Sequence, residues 1–235
     1  MSICDRRILK RLARAVRTAL YYFGLTQLLL MQAILFKTRR CFENETGLNQ
    51  ELPDRVIVIS NHRTFMDGIV IALTLFSRPI HFVVRDYYGK RRILLKILII
   101  LAGGIFARGR DRWPDLIAAC NQALSEKSPI LIFPEGEYRY TTEPESFHTG
   151  YLRIAIETGA RIVPMVSDFN YGLFRRVHLM IGDSMDFSAY RGVELSDMDV
   201  NRINEQIRNH VVEMYHELKR RVAESKSCTM NGKAQ

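Results

Sequence analysis

Residues 55–67 read Arg-Val-Ile-Val-Ile-Ser-Asn-His-Arg-Thr-Phe-Met-Asp, and residues 129–137 read Pro-Ile-Leu-Ile-Phe-Pro-Glu-Gly-Glu. Each opens as a short β-branched and aliphatic run, the composition of a strand buried on both faces. Each then breaks at once into a polar turn that carries ionisable side chains. Ile80–Val84, Arg161–Val166 and Val177–Ile181 have the same strand character. Between these runs, Gly68–Phe76, Arg91–Leu101, Pro114–Ser125 and Tyr151–Thr158 read as helices. Pro114 suits a first helical turn, and Gly159 suits a helix stop. From Asp197 to Ser225 a single apolar stripe (Val200, Ile203, Ile207, Val211, Met214, Leu218, Val222) predicts a long helix docked on the core. The alternation predicts one α/β domain with a mixed, largely parallel sheet flanked by helices.

The chain has 235 residues, 47% hydrophobic and 25% charged, which excludes disordered and low-complexity classes. Four dispersed cysteines form no C-x-x-C pair, which argues against a disulfide scaffold or zinc ribbon. The net charge is +9, and residues 1–40 hold +8 of it. The basicity therefore belongs to one arm and not to a nucleic-acid-binding body, and no nucleic-acid partner is expected. Ile8–Leu20 alternates apolar and basic residues at helical spacing, and Ala19–Phe36 carries no charge. Lys37, Arg39 and Arg40 follow. This pattern predicts a membrane-associating helical arm at an anionic, cytoplasmic-side surface, with spanning and interfacial placements both open. The expected division is an arm at 1–40, the α/β domain at 41–225 and a flexible tail at 226–235. Ile93–Ala102, interrupted by Lys96, reads either as a second membrane contact or as a buried helix.

No P-loop, dinucleotide fingerprint, nucleophile elbow or H-E-x-x-H motif is present. His62, His81, His148, His178, His210 and His216 show no metal-ligand spacing, so no metal is expected. What remains stands at strand ends, where α/β sheets collect ligands. His62 and Asp67 are separated by four residues, enough for a strand exit and one helical turn. An imidazole oriented by a carboxylate takes a proton from an alcohol near neutral pH. Taken alone, the same spacing also suits a turn histidine and an aspartate capping a helix at Gly68.

In combination, these segments resemble the glycerolipid acyltransferase family, the PlsC-like lysophospholipid acyltransferases. Asn61-His62-x4-Asp67 is similar to the family's N-H-x4-D block, and Phe133-Pro134-Glu135-Gly136 to the start of its F-P-E-G-T-R block. Ile162-Val163-Pro164-Met165 resembles the V-P-V block, and Gly103–Gly109 the block that ends in arginine. Phe147-His148-x-Gly150 falls where the family has F-K-x-G. The resemblance implies that His62 is the general base, oriented by Asp67. It implies that Asn61, Glu135, Gly136 and Pro164 contribute to substrate binding, and that Arg108 or Arg110 binds an acceptor phosphate. The implied reaction moves an acyl group from acyl-CoA or acyl-carrier protein to a lysophospholipid, with 1-acylglycerol 3-phosphate as acceptor. No cofactor beyond that donor is implied, and the partners are membrane lipids.

The chain departs from the family pattern after Gly136. Glu137 and Tyr138 replace threonine and arginine, and the nearest arginine is Arg139. Phosphate binding then falls to Arg108, Arg110 or Arg139. Two other readings remain at this level: a thioesterase or lipid hydrolase that uses the same pair on water, and a catalytically silent membrane lipid-binding protein.

Overall fold

The computed structural model describes residues 36–44, 52–75, 78–85, 102–138, 143–172 and 175–231, with scattered positions in 15–24 and 96–100. Seven strands form one sheet: β1 (Phe36–Phe42), β2 (Val56–Ser60), β3 (His81–Arg85), β4 (Gly104–Ala107), β5 (Ile130–Ile132), β6 (Arg161–Ser167) and β7 (Arg175–Ile181). Their order is β1-β7-β6-β2-β5-β3-β4. From β6 to β4 every neighbouring pair is parallel, whereas β7 runs antiparallel to β6 and carries β1 parallel to itself. This is the mixed, largely parallel sheet that the sequence predicts.

Strand β2 is fully buried and central, as its unbroken β-branched run requires. Val56 and Val58 pack with Val70 and Ile71 of helix α1 (Phe65–Thr74) and its C-cap Leu75 on one face. Ile57 and Ile59 face the opposite layer, which holds α2 (Trp113–Ser125), α3 (Gly150–Thr158) and α4 (Asp197–Asn231). The predicted stripe on α4 is buried from Val200 to Leu218, with Val222 partly covered. Gly159 ends α3 in the left-handed conformation, φ 63°.

Three expectations are corrected. Phe36–Arg40, assigned to the helical arm, are the first residues of β1, in register from Phe36 with Arg175 to Phe42 with Ile181. The tail expected from 226 is helical to Asn231, because no glycine or proline intervenes before Gly232. Helix α1 begins at Phe65 and not at Gly68: Thr64 is its cap, accepting from the Met66 amide, and Asp67 sits inside the first turn. Strand β4 was not foreseen. Of the arm itself, Ala15, Val16, Thr18, Ala19 and residues 22–24 are helical, with Val16 and Phe23 exposed. The rest of that assignment lies outside the described residues. Among the described residues no helix is long and apolar enough to cross a membrane.

Candidate active site

Parallel strands deliver their carboxyl ends to one edge of the sheet. Here β2 delivers Asn61 and His62, β5 delivers Phe133 to Gly136, and β6 delivers the turn after Ser167. His62 Nδ1 lies 3.2 Å from Asp67 Oδ2. The same oxygen accepts the Arg63 amide at 2.6 Å and the Thr64 amide at 2.7 Å. Asp67 thus closes the capping box of α1 and orients the histidine with one carboxylate. Its other oxygen, Oδ1, accepts from the Tyr171 hydroxyl. The Asp67 side chain is 0% exposed and that of His62 is 13% exposed. With Nδ1–H donating to the carboxylate, Nε2 keeps its lone pair for an incoming alcohol proton.

The F-P-E-G turn holds the histidine from the other side. The His62 amide donates to Glu135 Oε1 at 3.0 Å. The Phe133 ring stacks on the imidazole at 3.6 Å between centroids and 12° between planes, and Tyr138 tilts against it at 4.5 Å. Gly136 has φ +73°, and a Cβ there would stand 2.9 Å from His148 and 3.1 Å from the Arg85 guanidinium. Glycine is therefore required both by conformation and by close approach. His148 is fixed here because its amide donates to the Pro134 carbonyl at 2.9 Å. Arg85 ends β3, pairs in register with Ala107, and reaches Glu137 at 3.6 Å. Arg108 follows Ala107 on the same rim and is exposed.

The residues predicted from sequence fare unequally. His62, Asp67, Glu135 and Gly136 come together, and Arg108 lies on the rim beside them. Asn61, expected to bind substrate, is buried and spent on the scaffold. Its Nδ2 donates to the Ser167 carbonyl at 3.2 Å, and its Oδ1 accepts the Ser167 amide at 3.0 Å. Pro164 is also removed from the site. It pairs with Ile59 inside the sheet, and its ring and the Met214 thioether fill the space a side chain at Gly182 would need. Its missing N–H causes no loss, because β6 there faces the turn at Gly182 and not the β7 ladder. Arg110 opens a 3-10 turn, Arg110–Arg112, that leads into α2. Arg139 lies outside the described residues. Arg85 and Tyr171 were missed, Tyr171 because it stands 104 residues from Asp67 in sequence. Among the described residues no three His, Cys, Asp or Glu side chains converge as metal ligands.

Tyr171 is a fixed donor. Burial, and then the adjacent Asp67 carboxylate, push its hydroxyl well above the usual tyrosine range, against a smaller opposing effect of Ser167.

The structure is similar to the crystal structure of the 1-acyl-sn-glycerophosphate (LPA) acyltransferase PlsC from Thermotoga maritima. The TM-score is 0.54 with 19% identity, over 89% of this chain and 82% of that one. In sequence, the chain is 28% identical over 119 residues to a Chlamydomonas reinhardtii 1-acyl-sn-glycerol-3-phosphate acyltransferase, covering 48% of this chain and 34% of that protein. It is 26% identical over 174 residues to the 1-acyl-sn-glycerol-3-phosphate acyltransferase of Borreliella burgdorferi, covering 70% and 67% respectively. The chain thus spans about a third of the algal protein and two thirds of the bacterial one. The Acyltransferase family model matches residues 39–168, more than half of the chain, from the middle of β1 to just past the end of β6. On that match the chain belongs to the Acyltransferase family, and it shares the fold of PlsC.

Proposed function

We propose that this protein transfers a fatty acyl group from an acyl thioester, acyl-CoA or acyl-carrier protein, to the free hydroxyl of 1-acylglycerol 3-phosphate, giving phosphatidic acid. The observation that carries this reading is the His62–Asp67 pair at the carboxyl edge of β2, braced by Glu135 and stacked on Phe133. In the reaction, His62 Nε2 takes the hydroxyl proton as the oxygen attacks the thioester carbonyl. The tetrahedral intermediate collapses, the C–S bond breaks, and the thiolate leaves with the proton returned from His62. Ester formation from a thioester runs downhill, in keeping with a sequence that carries no P-loop.

Arg85 and Arg108 give the rim positive charge, and the His148 ring stands beside Gly136 as a further hydrogen-bonding group, a setting that suits a phosphomonoester. Arg85 supplies a guanidinium near the place where the family's F-P-E-G-T-R arginine is replaced by Tyr138. The acceptor and product are bilayer lipids, and the protein is proposed to work at the cytoplasmic surface of a membrane. The basic segment 1–40 supports this placement, as do Ile97 and Ile100, exposed by 47% and 53%.

The test is a detergent-solubilised assay with acyl-CoA, or acyl-carrier protein, and a panel of lysophospholipids, the products resolved by mass. Acylation of 1-acylglycerol 3-phosphate, lost by roughly 10³-fold in a folded His62→Ala variant, is the expected result. Free fatty acid in place of diacyl product would replace transfer by hydrolysis. Lipid binding with no turnover from either donor would leave a silent lipid-binding protein.

A further inference from the structure

The turn after β6 is more heavily built than a connection needs to be. Ser167 Oγ accepts the Phe169 amide at 3.1 Å, and Asp168 Oδ1 accepts the Asn170 amide at 3.1 Å. Asn170 Nδ2 donates to the Arg176 carbonyl at 3.0 Å. Phe169 is left-handed at φ 53°, a conformation that costs an aromatic residue and persists where its surroundings enforce it. They do so here: Arg63 lies over the Phe169 ring at 5.5 Å, and the Tyr171 amide closes on the Phe169 carbonyl at 2.7 Å. A second His–Asp pair fastens the turn to β7, with His178 Nδ1 2.7 Å from Asp168 Oδ2 and the His178 amide donating to Asp168 Oδ1 at 3.1 Å. This reversal brings the Tyr171 hydroxyl onto Oδ1 of Asp67.

We infer that Tyr171 is a positioning residue for the dyad: its hydroxyl fixes the rotation of the Asp67 carboxylate, and the turn Ser167–Gly172, locked by His178–Asp168, exists to hold it there. The inference rests on the reading of His62 and Asp67 as the general-base pair. Without the hydroxyl, Asp67 keeps the Arg63 and Thr64 amides on Oδ2, but Oδ1 loses its donor. The carboxylate is then held through Oδ2 alone, and it can swing about that oxygen along its soft terminal torsion, which misaligns the Oδ2 contact with His62 Nδ1. Tyr171 touches neither donor nor acceptor in this account, so the loss falls on the chemical step and not on binding.

The experiment is a double-mutant cycle on the full chain with Tyr171→Phe, Asp67→Asn and the pair, read as kcat and KM for donor and acceptor separately. Tyr171→Phe is expected to lower kcat by roughly tenfold to hundredfold with both KM values unchanged. The double variant is expected to be no slower than Asp67→Asn alone, because the hydroxyl acts only through that carboxylate. Wild-type kcat in Tyr171→Phe, a raised KM with unchanged kcat, or additive losses would each overturn the inference. If Tyr171→Phe does not fold, Asp168→Asn loosens the same turn from its far end and is expected to give a smaller loss with the same kcat-only signature. The His62 Nδ1–H proton resonance separates this inference from the proposed function. Should the wild-type protein acylate no lysophospholipid, the functional reading fails by itself. A downfield His62 signal that shifts or exchanges faster in Tyr171→Phe would still support the tether, and an unmoved signal would end it.

Discussion

Two histidine–aspartate pairs stand near the same edge of the sheet, on opposite faces, and the proposed function uses only one of them. Accessibility does not separate them: the His62 side chain is 13% exposed and that of His178 is 11%. What separates them is how the aspartate is used. Asp168 accepts from the His178 ring on one oxygen and from the His178 and Asn170 amides on the other, so all its partners lie in its own turn and the facing β7, and the pair clasps that turn to the middle of β7. Asp67 spreads its acceptors over a ring, two amides and a distant phenol. His62 stands beyond its strand end, between Phe133 and Tyr138. Alternation along β7 sends His178 the other way, to the side of Met180 and helix α4. A His–Asp contact is thus also a structural device, and the catalytic role proposed for His62 rests on the strand end that presents it.

Exchanging the two histidines for alanine is the strongest way to break this comparison. Against the loss of turnover expected of His62→Ala, His178→Ala is expected to keep kcat within roughly tenfold and to lower stability by about 1–3 kcal/mol, since it empties a nearly buried site and strips Asp168 of a partner. Urea denaturation beside the acylation assay reads both. An inactive but fully stable His178→Ala protein would make the second pair part of the catalytic machinery and erase the distinction drawn here.

The parts that sequence reasoning reached are those with local causes. Buried β-branched runs mark β2, β3, β5, β6 and β7 within a residue or two, and the heptad-like stripe marks α4. Strand β1 escaped because an edge strand at this position carries Lys37, Arg39 and Arg40, and charge on an edge hides a strand while protecting it from pairing with another chain. Strand β4 escaped because it is four residues long and starts at Gly104, after Gly103 at φ +91°. In the site, His62, Asp67, Glu135 and Gly136 were legible from motif and spacing. The roles of Asn61 and Pro164 were not, since a motif marks a position and does not tell whether its side chain meets a substrate or another strand. Tyr171 depends on a contact across 104 residues, for which no local signal exists.

Asn61 sharpens the contrast from within the motif itself. It is adjacent to His62, yet its amide joins the end of β2 to the end of β6 through Ser167. Asn61→Ala leaves a buried backbone amide and carbonyl without their side-chain partner, and is expected to cost about 2 kcal/mol in chemical denaturation. KM for the lysophospholipid is expected to stay at its wild-type value. A raised KM with unchanged stability would return Asn61 to the substrate-binding residues.

The smallest effect belongs to the face behind the His178 clasp, where α4 is fastened to the end of β1. Arg221 donates to the Phe42 carbonyl at 2.8 Å and the Glu43 carbonyl at 3.0 Å, and its Nε to Glu217 at 2.6 Å. Hydrogen bonds from Arg220 and Arg221 hold the Glu217 carboxyl down to about 2, below its ordinary 4.5. A carboxyl lowered by folding stabilises the native state above its unfolded value, and that contribution fades as pH falls from 4.5 toward 2. Because Glu217 is partly exposed, solvent screening limits it to a few tenths of a kcal/mol. The expected outcome is that Glu217→Gln narrows the difference in Tm between pH 5 and pH 3 and leaves acyl transfer at pH 7 untouched. If the pH 5 to pH 3 difference is the same in both proteins, Glu217 contributes no acid-sensitive stability. The fastening of α4 then rests on the Arg221 bonds to the β1 carbonyls alone.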